Sequence, residues 1–271
     1  MTAFVLFTVI LSWGFAHYYL PPSPSYRLFP DVSPTIATLG ALLAMNGAVA
    51  IAWRFMPLWP LMTRYFTHVP GYPRAVQAVL NVFSHIQYEH LLGNMMVLCI
   101  LAPACHELVG RGTFLGTYIS AGAVGTLASL YWANLGRGAI SAHSVGASAA
   151  IWGVSALFLL LTDKENIKVP FLKDAELSFW PKMLFAALFL LEIKTALSPK
   201  GTMDHASHFG GMAVGIAVAG YLRATGFHEK RLGVEAGVQE RAEVDDKTVD
   251  VGAVAKEGLK EVKDSLTKSS K

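Results

Sequence analysis

Charged side chains are scarce in this chain of 271 residues: Asp, Glu, Lys and Arg together account for 15% of it, against 53% for hydrophobic residues. Soluble globular proteins average about 25% charged residues. The mean hydropathy of +0.43 points the same way. The shortage of charge therefore excludes an ordinary water-soluble domain and indicates a protein that lies within a lipid bilayer.

Cysteine and clustered basic residues are also in short supply. The two cysteines, Cys99 and Cys105, form no CxxC or Cys/His zinc spacing, so we expect buried free thiols and neither a metal nor a cofactor. The net charge of +3 is spread along the chain without a basic stripe, which excludes nucleic acid as a partner. An HExxH helix and paired membrane aspartates are missing too, so zinc and aspartyl membrane proteases fit poorly.

Long apolar runs are what the chain does contain. A bilayer core about 30 Å thick is crossed by a helix of about 20 mostly apolar residues. Barrel strands would alternate polar and apolar residues, whereas these runs are continuously apolar. The pattern predicts an all-α, polytopic helical bundle with spans near 1–20, 36–56, 84–106, 113–133, 144–162, 180–198 and 205–222.

The runs divide the chain into three parts. Residues 1–33 are expected to form an extra transmembrane helix and a linker, because they lack the basic start and cleavage site of a secretory signal. Residues 34–225 would form a six-helix core. Residues 226–271 are rich in both acidic and basic side chains, which predicts a solvated, disordered tail without a catalytic part.

Polar side chains interrupt three of the apolar runs. His90 and Asn94 are four residues apart and His205 and His208 three apart, so each pair projects from one face of a helix. Ser148 lies in a run of small residues that would let another helix come close. The small residues Gly146, Gly211 and Gly215 are the expected packing points. If these faces meet, the Ser148 hydroxyl and the His208 imidazole come within hydrogen-bond reach.

Such a pair has a definite chemical use. A serine hydroxyl becomes a nucleophile when a neighbouring base takes its proton, and a neutral imidazole suits that task. His90, Asn94 and the backbone N–H of Ser148 could donate to a developing oxyanion. Because Asp204 lies at a helix start, no aspartate is obviously placed to orient His208, and we expect a Ser–His dyad.

Three sequence strings resemble the signatures of rhomboid intramembrane serine proteases. They are HIQYEHLLGNM from His85, GASA from Gly146 and HASHFGG from His205. The resemblance implies that Ser148 is the nucleophile, His208 the general base, and His90 and Asn94 the oxyanion donors. It also gives His85 and His205 accessory positions and sets Trp152 against the catalytic imidazole.

Within this family, the sequence resembles the mitochondrial presenilin-associated rhomboid-like group. Trp53-Arg54, the run Met62–Phe66 and one extra helix before a six-helix core carry this likeness. It implies an integral protein of the inner mitochondrial membrane that cleaves single-pass transmembrane substrates within the lipid bilayer. One departure is Ala149, where the family usually has glycine after the nucleophile. An extra methyl group there could crowd the substrate or an oxyanion donor.

Two other functions fit parts of the pattern. The first is an inactive rhomboid fold that binds membrane clients, which only Ala149 favours. The second is a carrier with haem or metal ligated by His85, His90, His205 and His208. For a protease, we expect substrates to enter beside the helix at 180–198, with that helix and the loop 163–179, which contains Pro170, as the lid. The residues leave open the substrate's identity, the membrane orientation and the oligomeric state.

Overall fold

The structure is a computed structural model. It describes residues 1–22, 26–164, 166–168, 176–178, 180–198, 203–230 and 232–233. The α-helices in this part of the chain are α1 Thr2–Tyr18, α2 Pro34–Ala52, α3 Trp59–Tyr65, α4 Gln77–Leu80, α5 Tyr88–Asn134, α6 Ser148–Leu161, α7 Pro181–Ala196 and α8 His205–Thr225. Short 3₁₀ turns cover Met56–Leu58 and Asn81–Phe83.

The prediction of an all-α membrane fold is confirmed by this helical architecture. Within the described ranges, α2 and α5 are long and apolar enough to cross a membrane by length and composition, and α1 and α6 are apolar but shorter. The seven predicted spans correspond to α1, α2, the two halves of α5, α6, α7 and α8. The number of spans that cross the bilayer stays a prediction.

A glycine divides the 47-residue helix α5. Gly110 has φ 78° and ψ 163°, a backbone conformation that residues with a side chain rarely adopt. The predicted spans 84–106 and 113–133 therefore correspond to two helical segments that meet at Gly110.

A partly buried cation holds three helices together just after this break. The Arg111 guanidinium donates to Thr38 Oγ1 at 2.8 Å, to Tyr19 Oη at 3.0 Å and to the Pro34 carbonyl at 2.8 Å. Hydrogen bonds of this kind offset the cost of removing a charge from water. Arg111 thereby ties the start of α2 and the chain after α1 to the second half of α5.

Helix α6 lies at the centre of the bundle, where α5 and α8 pack against it. None of its residues is exposed. A Cβ on Gly211 of α8 would lie 2.0 Å from the Ala149 carbonyl oxygen, and one on Gly215 would lie 2.1 Å from the Gly153 carbonyl oxygen. Backbones can approach this closely only where side chains are absent, so the glycines set the distance between α6 and α8.

The predicted lid and tail are described only in part. Asn166–Lys168 (β1) and Glu176–Ser178 (β2) pair as an antiparallel hairpin. Pro170 lies outside the described residues, as does all of the tail beyond residue 233. The tail's first residues pack on the bundle, since the Phe227 ring stacks on the His17 ring of α1 with centroids 4.9 Å apart.

Candidate active site

The side chains of Ser148 and His208 meet inside the bundle. Ser148 is the first residue of α6, and His208 lies in the first turn of α8. His208 Nε2 is 2.9 Å from Ser148 Oγ, within hydrogen-bond distance. His208 is only 7% exposed, so the pair is largely shielded from solvent. The close α6–α8 packing places the two helix starts side by side.

The loop before α6 is fixed by backbone hydrogen bonds. The backbone N–H groups of Ser144 and His68 each donate to the other residue's carbonyl at 2.9 Å. The Gly146 N–H donates to the Asn81 carbonyl at 3.0 Å. Helix α6 begins two residues later. The position of Ser148 is therefore set by the chain around it as well as by its own helix.

Gly146 acts differently from the packing role predicted for it. It lies in this loop, with φ +129°, and not in a helix–helix contact. A Cβ there would lie 2.6 Å from His90 Cε1 and 3.5 Å from Asn94 Nδ2. The missing side chain instead lets the loop turn and brings the His90 ring close to the backbone before Ser148.

His85, His90 and Asn94 form one group beside this loop. Asn94 Nδ2 lies 2.9 Å from His85 Nε2, and the Ala147 N–H donates to the same nitrogen at 3.4 Å. Because His85 Nε2 accepts both bonds, the proton of a neutral His85 ring belongs on Nδ1. The His85 and His90 rings meet edge to face with centroids 5.2 Å apart.

Ser148 also lies at the positive end of a helix. The first N–H groups of an α-helix have no partner within it, and the helix dipole adds partial positive charge there. The Ala147 carbonyl accepts the first intrahelical bond, from Ile151 N at 2.9 Å. The free N–H groups at the start of α6 therefore lie at the same end of the helix as Ser148.

Trp152 lies one helical turn after Ser148. Its ring centroid is 6.1 Å from that of His208, with the planes inclined by 41°. The indole therefore borders one side of the imidazole.

Glu192 of α7 completes the contacts of His208, and the sequence analysis missed it. Its Oε1 lies 2.7 Å from His208 Nδ1 and 2.6 Å from His205 Nδ1. The Glu192 side chain is 8% exposed. It is the only acidic residue in the apolar run 180–198, and that was the available signal, because an ionisable group at membrane depth is a functional candidate.

Asp204 lies at the start of α8, as the sequence predicts, and caps that helix. Its Oδ1 accepts a hydrogen bond from the Ser207 N–H at 3.1 Å and so caps α8. Among the residues described, the carboxylate that contacts His208 is that of Glu192 and not that of Asp204.

The three side chains Glu192, His205 and His208 also form a possible cation site. Their ligand atoms lie within 4.8 Å of one another, and two imidazoles with one carboxylate are a common ligand set. This set differs from the four histidines considered above, because His85 bonds Asn94 on the other side of Ser148.

A cavity of about 880 Å³ opens next to His205. It lies among the second half of α5, the loop before α6, the end of α7 and the start of α8. Its polar lining includes Arg137, His143, Asp204 and His205, and its apolar lining includes Trp132 and Phe209. His205 lines this cavity, whereas Ser148 and His208 do not.

The extra methyl group of Ala149 packs against helix α5. A Cβ on Gly125 of α5 would lie 2.6 Å from Ala149 Cβ. The methyl therefore packs against Gly125 in the helix interface.

Fold and site together define a class: an integral membrane protein of packed helices whose interior holds a serine–imidazole pair with donors beside it. Residues 73–225, more than half of the chain, match the rhomboid domain. The chain belongs to the rhomboid family.

Several curated relatives carry mitochondrial names. The chain is 30% identical over 185 residues to presenilin-associated rhomboid-like protein A, mitochondrial, of Danio rerio, covering 68% of this chain and 47% of that protein. It is 28% identical over 205 residues to Rhomboid protein 1, mitochondrial, of Saccharomyces cerevisiae, covering 75% and 57%. The human presenilin-associated rhomboid-like protein, mitochondrial, is 30% identical over 186 residues, covering 66% and 46%.

These matches confirm the resemblance to the mitochondrial presenilin-associated rhomboid-like group. The chain spans about half the length of the curated relatives it matches. It is an integral membrane protein of mitochondria.

Proposed function

We propose that this protein is an intramembrane serine endopeptidase that cleaves single-pass transmembrane proteins in the inner mitochondrial membrane. Ser148 is the nucleophile and His208 the general base. The observation that carries the proposal is the 2.9 Å contact between Ser148 Oγ and His208 Nε2. An imidazole at this distance can take the hydroxyl proton as the oxygen attacks a carbonyl.

The reaction follows from the groups around the pair. Ser148 Oγ attacks the scissile carbonyl carbon while its proton moves to His208 Nε2. His208 then gives this proton to the leaving amine, and the carbon–nitrogen bond breaks to leave an acyl-enzyme. A water molecule deprotonated by His208 attacks the ester, releases the second product and restores the serine.

The developing oxyanion has donors on two sides. An amide nitrogen carries two hydrogens, so Asn94 can bond His85 and also the reacting oxygen. His90 and the N–H groups at the start of α6 are the other candidates. Removing one such donor in other hydrolases costs about 10²–10³ in kcat.

Substrates would enter beside α7. The buried side chains of α7 are Pro181 and Glu192, and its outward face carries exposed Met183, Leu190 and Leu191. A helix with this little burial can separate from its neighbours at a smaller cost than α6. An extended segment of a single-span protein could then reach Ser148, with the hairpin β1–β2 as a lid.

An inactive fold that only binds membrane clients is the main rival. Ala149 is the feature that favours it, and the packing of its methyl group against Gly125 weakens that reason. The Ser148–His208 contact favours the enzyme.

Labelling with a fluorescent fluorophosphonate separates the two functions without knowledge of the substrate. The wild-type protein in detergent or proteoliposomes is expected to become labelled at Ser148, because an activated hydroxyl attacks the phosphorus centre. Ser148→Ala and His208→Ala should remain unlabelled while retaining the wild-type elution volume in gel filtration. A folded wild-type protein that takes up no label would favour the inactive binder.

A further inference from the structure

Glu192 is a buried carboxylate on an otherwise lightly buried helix. A carboxylate removed from water is costly unless it is paired and hydrogen-bonded. Its Oε1 has two partners, the Nδ1 atoms of His205 and His208. We propose that Glu192 is a positioning residue for the protease reaction: its carboxylate holds His208 in the tautomer and orientation in which Nε2 faces Ser148. This inference rests on the proposed function.

The contacts of the two ring nitrogens of His208 determine which of them carries the hydrogen. The Glu192 carboxylate and the Ser148 hydroxyl lie at opposite ring nitrogens, 2.7 Å from Nδ1 and 2.9 Å from Nε2. An ionised carboxylate only accepts hydrogen bonds, so Nδ1 must carry the hydrogen. In the neutral imidazole, Nε2 then has the lone pair that accepts the Ser148 proton.

The charge of Glu192 also suits the reaction. When His208 takes the serine proton it becomes an imidazolium, and the adjacent carboxylate stabilises that cation. The carboxylate needs no movement to do so, since it already contacts the ring. Ser148, His208 and Glu192 thus form a hydrogen-bonded series in place of the dyad expected from the sequence.

His205 has a supporting place in this arrangement. Its Nδ1 lies 2.6 Å from the same Glu192 oxygen, and the His205 and His208 rings meet at 87°. Two N–H donors to one oxygen restrict the Glu192 rotamer more than one donor would. His205 therefore holds the carboxylate in place, which gives a physical reason for a second histidine three residues before His208.

The first test compares Glu192→Gln with Lys194→Gln by the rate of fluorophosphonate labelling at Ser148. Lys194 is exposed on the same helix, so it controls for loss of a charge from α7. In Glu192→Gln the new side-chain amide can donate to Nδ1 and favour the wrong tautomer, so labelling should slow by about tenfold or more. Glu192→Asp keeps the charge and should recover part of the rate, whereas Lys194→Gln should label like wild type.

A second measurement reads the tautomer of His208 in the wild-type protein and does not depend on how the Glu192 variants fold. Nitrogen NMR of the full-length protein with ¹⁵N-labelled histidine, assigned with His208→Gln, reports which ring nitrogen of His208 carries the proton. The proposal predicts hydrogen on Nδ1 and a bare Nε2 in the neutral ring. A neutral ring protonated on Nε2 would overturn it. Addition of a chelator should change neither the spectrum nor the labelling rate, and a change in either would indicate a bound cation instead of a positioning carboxylate.

The failure of this inference can be told apart from failure of the proposed function. If Ser148→Ala is unlabelled while Glu192→Gln reacts at the wild-type rate, Ser148 is a nucleophile that needs no carboxylate, and only the inference is wrong. If the wild type itself is unlabelled, the proposed function is wrong.

Discussion

Ser148 and its neighbours show how much a reactive residue depends on the atoms that hold it. A serine in a membrane helix is ordinarily a packing or hydrogen-bonding residue. Here it begins a helix, follows a loop tied to Asn81 and His68, and lies 2.9 Å from an imidazole. Each of these conditions comes from residues that take no direct part in the chemistry.

Ala149 gives a prediction for a single methyl group. Because that methyl packs against Gly125, Ala149→Gly should leave the labelling rate of Ser148 within about twofold of wild type. The substitution should lower the stability of the protein by about 1 kcal/mol, the usual cost of glycine in a helix. A rate that rises several-fold would instead mean that the methyl obstructs the site.

Patterns along one helix predicted some of the site residues, whereas residues that depend on contacts between different parts of the chain were missed or misassigned. Ser148 and His208 were paired because small residues mark which helix faces can approach closely. Glu192 was missed because spacing within one helix does not tell which neighbouring side chain its carboxylate meets. Gly146 was assigned to helix packing because a run of small residues looks the same whether it lies in a helix or in the loop before one.

At the scale of helices, the contact between α6 and α8 determines whether the site exists. Gly211 and Gly215 bring α8 against the backbone of α6, and His208 is one turn before Gly211. Helix α7, in contrast, has little buried surface apart from Pro181 and Glu192. Glu192 contacts His208 with α7 in this position, so the proposed reaction requires α7 to close again after a substrate has entered.

Gly211→Ala tests this contact. Its Cβ would lie 2.0 Å from the Ala149 carbonyl oxygen, so the helices must separate or distort. We expect a loss of about 1–3 kcal/mol, typical of an overpacked interior, and a large loss of labelling as His208 moves from Ser148.

The matched control is Gly220→Ala on the same helix. A Cβ there has no atom within 4 Å, so the variant should label normally and be equally or slightly more stable. Thermal unfolding and labelling of both variants check the pair. Equal stability and equal labelling of the two would contradict the account of α6–α8 packing.

The helices themselves were the most predictable part of the structure. Continuous apolar runs of about 20 residues correspond to helical segments because backbone groups in lipid must bond within their own segment. The exact position of the break within α5 was harder to foresee. The positive φ of Gly110 separates the two helical segments, and a sequence does not reveal a backbone angle.

At the scale of the whole molecule, the membrane core depends on loops outside it. His68 is fully buried in the segment between α3 and α4, and its backbone pairs with Ser144 before α6. Burial lowers the pKa of His68 below its ordinary 6.5, against an opposing effect of the Asp204 carboxylate and Gln77. The segment that contains His68 is therefore bonded to the loop that precedes Ser148.

The sign of the resulting pH dependence follows from proton binding. Below pH 6.5 the unfolded chain protonates His68 more readily than the folded protein, so acidification favours unfolding. The melting temperature should fall between pH 7 and pH 5, and it should fall less in His68→Phe. His143→Gln, on the exposed loop before α6, is the control. An identical fall in His68→Phe and wild type would show that His68 makes no such contribution.

The most direct test of the proposed protease is cleavage within a membrane. The wild-type protein and Ser148→Ala are reconstituted in liposomes with a panel of single-span proteins, and the products are identified by mass spectrometry. The account predicts that the wild type cuts at least one substrate within or beside its span and that Ser148→Ala cuts none. Cleavage by Ser148→Ala at the wild-type rate would contradict it.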